Sequence, residues 1–400
     1  MFRFLTAGES HGIGLTVIVE GVPAGLPLTQ EFIAIQLRRR QGGYGRSRRQ
    51  KIEKDLGELR SGVRHGKTIG SPITVLLDNK DWVNWQDVMA IEEPSEPSVP
   101  ITRLRPGHAD VPGVLKYAFD DVRPILERAS ARETAARVAV GAIARRMLEE
   151  FGVALHSHTL AIDGVKANIE GEPDWEAVEA SPVRCADKDA EAKMIEAIDS
   201  ARNDGDSLGG IIEVSATNVP IGLGSHVHWD RKIDGKIAQA FMSINAVKGV
   251  EIGIGFSGAV LRGSQVHDVI LPIGQWGERP WPRATNRLGG TEGGMTNGED
   301  LVVRIALKPI ATLPRSLPSV DLHTGEEIPA HYERSDVAVA PAAGVIGEAM
   351  LAIVLADACL EKFGGDHIDE TLRNYKAYVK TLQPRGGKAA EPPDEETTEF

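Results

Sequence analysis

Segments with a helical pattern and segments typical of β-strands alternate along this chain, and no linker separates them. The clearest helix begins at Ser130, where Glu133 three residues later fits a capping box, and Gly152 is a typical stop. Apolar spacing and β-branched runs predict the other elements. Helices are expected at 28–40, 233–244, 341–363 and 367–383, and strands at 1–7, 13–20, 71–77, 211–217, 250–256 and 301–307.

The pattern therefore predicts one large α+β domain over residues 1–383. Residues 384–400 are charged and contain proline without any periodicity, so we expect a disordered C-terminal tail. Residues 91–100 are rich in proline, glutamate and serine and are expected to form a loop.

Composition narrows the class of protein. The chain is 42% hydrophobic and 26% charged, which is ordinary for a soluble globular protein. No unbroken apolar run approaches about 18 residues, and the first ten residues lack a signal-peptide pattern. We therefore expect no membrane span, secretory signal or transit peptide. Cys185 and Cys359 offer no disulfide framework, which fits a reducing cytoplasm.

The distribution of charge along the chain indicates which kind of anionic ligand the protein is suited to bind. The net charge is -12, whereas nucleic-acid binding needs a broad basic face. Positive charge is instead concentrated locally, and most of it is arginine. This pattern favours a small, multiply charged anion over a polymer.

Three local motifs resemble known functional signatures, but the surrounding sequence lacks the other features that each signature requires. Residues 8–12 spell G-x-S-x-G, but a nucleophile elbow needs a strand-to-helix turn, and β-branched residues follow His11. Residues 61–68 approach a P-loop, yet Ser61 stands where the first glycine is required. The glycine-dense residues 288–298 lack dinucleotide-fold spacing. They fit a ligand-contacting loop and a simple turn equally well.

Two H-x-H pairs raise the possibility of a metal site. His156 and His158 form one pair, and His226 and His228 form the other. No nearby cysteine or third histidine completes either set, so we expect solvated histidines and no metal.

The segment 38–49 carries six arginines in twelve residues, interleaved with glycines and Tyr44. One interpretation is an Arg-Gly segment that binds nucleic acid. The second is a loop that folds guanidiniums around one small anion. The third is a basic surface that is simply solvated and binds nothing. The acidic remainder of the chain favours the small-anion pocket.

Two histidines lie on glycine-containing turns and complete a chemical pattern. His11 lies between Ser10 and Gly12, and His108 follows Pro106 and Gly107. Histidines exchange protons near neutral pH, and clustered guanidiniums stabilise a departing phosphate. The residues thus predict acid–base chemistry on an anionic, phosphorylated metabolite.

Eight collinear blocks over residues 1–383 resemble the chorismate synthase family. They are TAGESHG, RRRQGGYGRSRR, RPGHADVPGVLKY, ERASARETAARVA, NAVKGVEIG, NRLGGTEGGMTNGE, KPIATLP and RSDVAVAPAAGVIGEAM. The family converts 5-enolpyruvylshikimate 3-phosphate to chorismate by a trans 1,4-elimination of phosphate and a ring proton, the last step of the shikimate pathway that supplies aromatic amino acids. The resemblance implies a lyase and flavoprotein that requires reduced FMN without net redox change.

The resemblance also implies roles for individual residues. His11 is implied as proton donor to the reduced flavin, His108 as the group that protonates the leaving phosphate, and Asp336 as the acid near flavin N5 that assists removal of the ring proton. Ser10 is implied as a substrate or flavin contact. The implied holders of the phosphate and carboxylates are Arg40, Arg46, Arg49, Arg132 and Arg334.

For the cofactor, the family's positions fall on a second set of residues. Asn245 stands where the family is expected to have glutamine, one methylene longer, so that contact is the one departure. If NADPH is the reductant, Arg40 and Arg46 are implied as its contacts. The implied FMN-binding residues are Arg128, Ala129, Ser130, Asn245, Ala246, Gly293, Lys308, Pro309, Ile310, Ala311, Thr312 and Arg334.

At the level of the whole protein, the resemblance implies a β-α-β sandwich, with a helical layer between two antiparallel four-stranded sheets. It further implies a cytoplasmic homotetramer that binds neither nucleic acid nor membrane. The absence of a dinucleotide fingerprint favours an external flavin reductase over reduction by the protein itself with NADPH. The rival classes are an RNA-binding module built on residues 38–49 and a hydrolase or phosphatase that uses Ser10 covalently.

Overall fold

The computed structural model describes residues 1–46, 55–94, 98–272 and 280–383. The strands are β1 (Arg3–Ala7), β2 (Gly14–Glu20), β3 (Glu58–Leu59), β4 (Val63–Arg64), β5 (Lys67–Thr68), β6 (Ile73–Asp78), β7 (Ala154–Ile162), β8 (Val165–Lys166), β9 (Gly210–Thr217), β10 (Val247–Ile252), β11 (Thr291–Glu292), β12 (Met295–Thr296), β13 (Leu301–Leu307), β14 (Pro318–Val320) and β15 (Glu327–Pro329). The helices are α1 (Gln30–Gln41), α2 (Asp110–Tyr117), α3 (Arg123–Ala129), α4 (Thr134–Glu149), α5 (Trp175–Ala180), α6 (Lys188–Asp204), α7 (Ile233–Met242), α8 (Gly255–Gly258), α9 (Gly263–Val266), α10 (Ala340–Phe363) and α11 (Ile368–Lys380).

Two antiparallel sheets carry most of the β structure in these described ranges. The first has the strand order β1-β2-β6-β3, and the second has the order β10-β13-β9-β7-β8. The second sheet thus has five strands rather than the expected four, because the two-residue strand β8 continues the ladder past β7. Helices and antiparallel sheets together make an α+β fold, as the pattern predicts.

Two long helices, α4 and α10, pack against each other at the centre of the fold. Helix α4 also contacts β1, β2 and β6 and, at a few residues, β7, whereas α10 contacts β7 and β9. A Cβ added at Gly141 would lie 2.3 Å from the Cβ of Ala349, so only glycine permits this close approach of the two helices. The apolar core is therefore built around this helix pair.

Helix α10 is long and apolar enough to cross a bilayer by length and composition, with a mean hydropathy of 1.9. Within the described ranges it alone meets that test, and 89% of the relevant window is buried inside the protein. Glu348 interrupts its apolar run. The contacts with α4 and the second sheet make α10 a core helix.

Most predicted elements are present, but the strand expected at 250–256 is observed as β10, which ends at Ile252, and strand β7 was not predicted. The helix expected from Ser130 opens with a short 3-10 turn, and the Ser130 hydroxyl accepts from the Arg132 backbone N–H. The predicted capping box is wrong, because the Glu133 carboxylate binds Thr6 and Arg137 instead. Helix α6 was not predicted. The disordered-tail prediction for 384–400 lies outside the described residues.

Glu348 sits in the middle of α10, is 1% exposed, and is surrounded by arginines. Its carboxylate accepts hydrogen bonds from Arg39 at 2.7 and 2.9 Å, from Arg145 at 2.7 Å and from Arg184 at 3.3 Å. Burial opposes the charge, but the three guanidiniums prevail and hold the pKa of Glu348 well below its usual range. Ser157 Oγ on β7 also donates to this carboxylate at 2.6 Å, so the network ties α1, α4 and β7 to α10.

We expect Glu348→Ala to lower the free energy of unfolding by about 3–5 kcal/mol, because it leaves buried guanidiniums short of a counter-charge. Urea denaturation measures this. The lowered pKa means that this stabilisation is present above the unfolded pKa, about 4.3, and is lost as the pH falls through the folded value. Glu361→Ala, on the exposed face of the same helix, is the control and should cost less than about 1 kcal/mol. Equal effects of the two substitutions would contradict the argument.

Candidate functional site

A cavity of about 470 Å³ opens where the N-terminal ends of α4 and α10 meet the end of α3 and the segment after β13. Its size lies within the range typical of small-molecule and cofactor sites. The charged and imidazole side chains on its wall are His11, Arg40, Arg46, Arg105, His108, Arg132, Lys308, Glu333, Arg334 and Asp336. Positive groups outnumber carboxylates on this wall, so the cavity is suited to an anion.

Arg40 and Arg132 form one buried part of this wall. Arg40 is 4% exposed and donates from Nε to Thr134 Oγ1 at 3.0 Å and from Nη2 to the Ala131 carbonyl at 2.9 Å. Arg132 donates to Asp55 at 2.6 Å, and Arg40 Nη1 lies 3.9 Å from the same carboxylate. One aspartate therefore faces two guanidiniums, which leaves an excess of positive charge.

Burial, together with repulsion from Arg46, lowers the pKa of Arg40 to about 9. Within the described ranges Arg40 Nη1 and Arg46 Nε are buried and make no hydrogen bond. Buried donors of this kind are costly unless a ligand accepts from them. These two donors are the strongest indication that the cavity can bind an anion.

Asp336 and Arg46 join the two sides of the cavity. Arg46 Nη1 lies 3.1 Å from Asp336 Oδ2, and both side chains line the cavity. Residues 42–46, which follow α1, and the segment that leads into α10 are thereby held together. Arg334 lines the same region.

His108 is held by Asp110 and Arg105. Its Nδ1 lies 2.6 Å from Asp110 Oδ1, and that carboxylate is fully buried. Asp110 also accepts from Arg105 Nε and Nη2, both at 2.9 Å. Although burial raises the pKa of Asp110, hydrogen bonds from His108 and Arg105 leave it well below its usual range. An ionised carboxylate at Nδ1 directs proton exchange by His108 to Nε2.

His11 lies on the loop between β1 and β2. Its Nδ1 is 2.9 Å from Glu127 Oε1 and 3.0 Å from Glu127 Oε2, and its ring stacks on Trp85. Glu127 belongs to α3 and is 1% exposed. Both imidazoles on the cavity wall are thus paired at Nδ1 with a buried carboxylate.

Apolar side chains line the same cavity as these polar groups. They include Ile244, Leu307, Ile310, Ala343 and Ile346. Ala246 has a φ of 69°, a left-handed conformation that alanine rarely adopts and that often marks a functional site. Asn245 donates from its amide to the Ala129 carbonyl at 3.0 Å, which joins two stretches predicted to bind FMN. Burial lowers the pKa of Lys308 on the same wall.

Most residues predicted for the site line this one cavity. They are Ser10, His11, Arg40, Arg46, His108, Ala129, Ser130, Arg132, Asn245, Ala246, Lys308, Ile310, Ala311, Thr312, Arg334 and Asp336.

Three others do not line it, and one cannot be placed. Arg128 points away and donates to the Gly8 and Thr6 carbonyls. Pro309 is outside the lining, and Gly293 lies in the turn between β11 and β12. Arg49 lies outside the described residues.

Two other sequence interpretations can be compared with the structure. The G-x-S-x-G stretch joins two strands, so it is not a strand-to-helix elbow, and Ser10 Oγ accepts from Ser130 Oγ at 3.1 Å. Residues 61–68 include the hairpin of β4 and β5, which confirms that they are not a P-loop.

The expectation of solvated histidines holds only in part. His228 is exposed, but His158 is 2% exposed, and its Nε2 lies 3.1 Å from Glu213, because β7 is an inner strand of its sheet. In the described ranges no group of three or more histidine, cysteine, aspartate and glutamate side chains is arranged to hold a metal.

The segment 38–49 does not act as a unit. Arg38 is exposed and pairs with Glu31, Arg39 is committed to Glu348 and Glu179, and only Arg40 and Arg46 of its described arginines reach the cavity. The helical periodicity of α1 separates these neighbours, because successive side chains point in different directions.

Sequence reasoning missed the carboxylates behind the two histidines. Glu127 and Asp110 lie within two of the blocks that resemble the family, but neither was assigned a role. Asp110 lies two residues from His108, a spacing that was available as a signal, whereas Glu127 is 116 residues from His11.

The chain matches known proteins over nearly its full length. A family model described as chorismate synthase matches residues 2–360. A chorismate synthase of Aquifex aeolicus is 55% identical, with 95% of this chain and 98% of the relative covered. One of Streptomyces avermitilis is 52% identical, with 96% and 99% covered.

A crystal structure titled chorismate synthase superposes with a TM-score of 0.74 at 45% identity, covering 95% of this chain and 98% of the other. With the match of the family model and the identity to full-length relatives, this places the chain in the chorismate synthase family.

Proposed function

We propose that this cavity binds 5-enolpyruvylshikimate 3-phosphate and that its side chains carry out the trans 1,4-elimination of phosphate that forms chorismate. The observation that carries the proposal is the convergence of two carboxylate-paired imidazoles and a set of buried guanidiniums on one cavity. A phosphate and two carboxylates need that many positive partners once they are stripped of water.

His108 is the proposed acid for the leaving phosphate. Its Nδ1 proton is held by Asp110, so the exchangeable proton is at Nε2. Arg105, which lines the cavity beside it, also donates to Thr312 at 3.3 Å. Protonation lowers the negative charge that develops on the phosphate as the carbon–oxygen bond breaks. Nearby guanidiniums stabilise the remaining negative charge of the phosphate.

Asp336 and Arg334 serve the opposite side of the substrate in this proposal. Asp336 is kept in the cavity by Arg46, and its proposed role is to assist removal of the ring proton beside the flavin. Arg334, Arg40, Arg46 and Arg132 hold the anionic groups. Ser10, whose Oγ accepts from Ser130 Oγ, supplies a hydroxyl at the edge of the same wall.

The residues present fit reduced FMN as the cofactor. A strained Ala246, the amide of Asn245 and small side chains at Ala129 and Ala311 leave a low apolar wall beside Lys308. Such a wall suits a flat ring, and Lys308 and the backbone N–H groups of the 310–312 stretch suit a phosphate. When bound, reduced FMN would supply an electron-rich ring against the substrate. Gly293 and Arg128 remain proposed contacts that this cavity does not include.

Several broader features are also proposed. Helix α4 on the first sheet and α10 on the second are the arrangement expected of a β-α-β sandwich within one domain of residues 1–383. We further propose a cytoplasmic homotetramer, with its FMN reduced by an external reductase. Reduction by NADPH at Arg40 and Arg46 is the alternative, and both guanidiniums face the cavity.

The test is an anaerobic assay with substrate and dithionite-reduced FMN, which follows chorismate absorbance and phosphate release together. We expect equal amounts of both products and no turnover when the flavin is oxidised or omitted. Phosphate release without chorismate, or turnover without reduced flavin, would contradict the proposal.

A further inference from the structure

Glu127 is bound to the turn that carries His11 by its backbone and by its side chain. The Glu127 carbonyl accepts from the Ser10 N–H at 3.1 Å, and Oε2 accepts from the His11 N–H at 2.8 Å. Both carboxylate oxygens also lie within 3.0 Å of His11 Nδ1. A carboxylate this deeply buried has few other means of satisfying its charge.

Trp85 covers one face of the same imidazole. The ring centroids are 3.8 Å apart, with an angle of 24° between the planes. The indole is fixed in turn, because its Nε1 donates to Asp81 at 3.0 Å. The stack leaves the His11 ring little freedom to rotate, since rotation about its side-chain bonds would collide with the indole.

Arg123 connects these groups to Glu333, which also lines the cavity. Its Nη1 lies 3.2 Å from Glu127 and 3.0 Å from Glu333, and its guanidinium lies over the Trp85 ring at 5.3 Å. Glu127, Arg123 and Glu333 are thus charged groups around His11. Arg123 balances the two carboxylates and keeps Glu127 in place.

We infer that Glu127 and Trp85 are positioning residues for His11: the carboxylate keeps the proton on Nδ1, and the indole fixes the plane of the ring. An ionised carboxylate only accepts, so Nδ1 must be the donor between them. Proton exchange between His11 and a molecule in the cavity then runs through Nε2. The inference rests on the proposed role of His11 as proton donor to the reduced flavin.

The kinetic test compares Glu127→Gln with a matched control. We expect kcat to fall about 100-fold in Glu127→Gln while KM stays within about threefold, because proton transfer is impaired and the anion-binding arginines are untouched. Glu133→Gln removes a nearby carboxylate that pairs with Arg137 instead, and it should retain wild-type kcat. Equal kcat in Glu127→Gln and wild type would overturn the inference.

Trp85 provides a second, independent variant at a half-buried position. Trp85→Phe keeps an aromatic face and should stay within about threefold of wild-type kcat, whereas Trp85→Leu should lose about tenfold. Retained activity with phenylalanine but not with leucine would show that His11 needs an aromatic ring to stack on, and that a side chain of similar size is not enough. Equal kcat values for these two variants would remove Trp85 from the proposal.

The tautomer itself can be measured without turnover. Solid-state spectra of ¹⁵N-histidine-labelled protein, with a His11→Asn sample subtracted, isolate the His11 signals. Above neutral pH we expect a protonated Nδ1 and an unprotonated Nε2 in wild type, and a mixture of tautomers in Glu127→Gln. The reverse tautomer in wild-type protein that still makes chorismate would overturn this inference and leave the proposed function standing.

Discussion

His108→Ala is expected to lower kcat about 10³-fold, within the range that general acid catalysis contributes. Alanine removes the imidazole that is proposed to protonate the leaving phosphate. Arg40, Arg46 and Arg132 remain in place, so KM should change less than about fivefold. Steady-state assays with reduced FMN give kcat, and equilibrium dialysis of the substrate shows whether binding survives.

A second histidine makes a close control for this experiment. His228 lies 2.6 Å from Asp230 through Nδ1 and Oδ1, the same pairing and spacing as His108 and Asp110, but both side chains are exposed and outside the cavity lining. His228→Ala should stay within about twofold of wild type. A His108→Ala enzyme that kept more than about a tenth of wild-type kcat would exclude His108 as the acid.

Arg40→Met is expected to lower kcat/KM about 10³-fold while leaving the protein as stable as wild type. Methionine removes two of the charge-assisted hydrogen bonds that an anion would accept, each worth about 1.5–3 kcal/mol. It also removes a buried charge, and burial and repulsion from Arg46 already lower the pKa of Arg40 to about 9. The free-energy cost of burying that charge is removed, and this gain offsets the loss of the hydrogen bonds to Thr134 and Ala131.

The measurements are chorismate kinetics and thermal unfolding with and without inorganic phosphate. Phosphate should raise the melting temperature of wild type more than that of Arg40→Met, since ligand that binds only the folded state stabilises it. Arg38→Met, two residues earlier on the exposed face of α1, should behave as wild type in both assays. A substantial loss of stability in Arg40→Met with unchanged kcat/KM would show that Arg40 is structural.

The fold was largely predictable where periodicity is strong. The bounds expected for α1, α10 and β13 lie within two residues of those observed, because apolar spacing reports directly on buried faces. Helix α6 was missed although Asp187 caps it, since its apolar residues are few and its composition suggests solvent exposure. The layering could not be derived, because sheet order depends on contacts far apart in sequence.

The site was predictable in its chemistry and less so in its geometry. His11, His108 and Asp336 converge on one cavity as the sequence indicated. Glu127 was missed because nothing near it in the sequence refers to His11. Arg39 is adjacent to Arg40 but serves the Glu348 network, and only packing decides which member of an arginine run faces a ligand.

The pairing of α4 with α10 has an electrical consequence. Residues at the N-terminal ends of both helices line the cavity. At the other ends, Phe151 lies just beyond α4 and stacks on Phe363, the last residue of α10, with ring centroids 5.8 Å apart. The two helices therefore run parallel. Each helix places roughly half a positive elementary charge at its start. Two macrodipoles aligned side by side repel, and a bound polyanion at their shared positive end relieves that repulsion. The attraction for phosphate thus belongs partly to the backbone, and no single arginine substitution can abolish it.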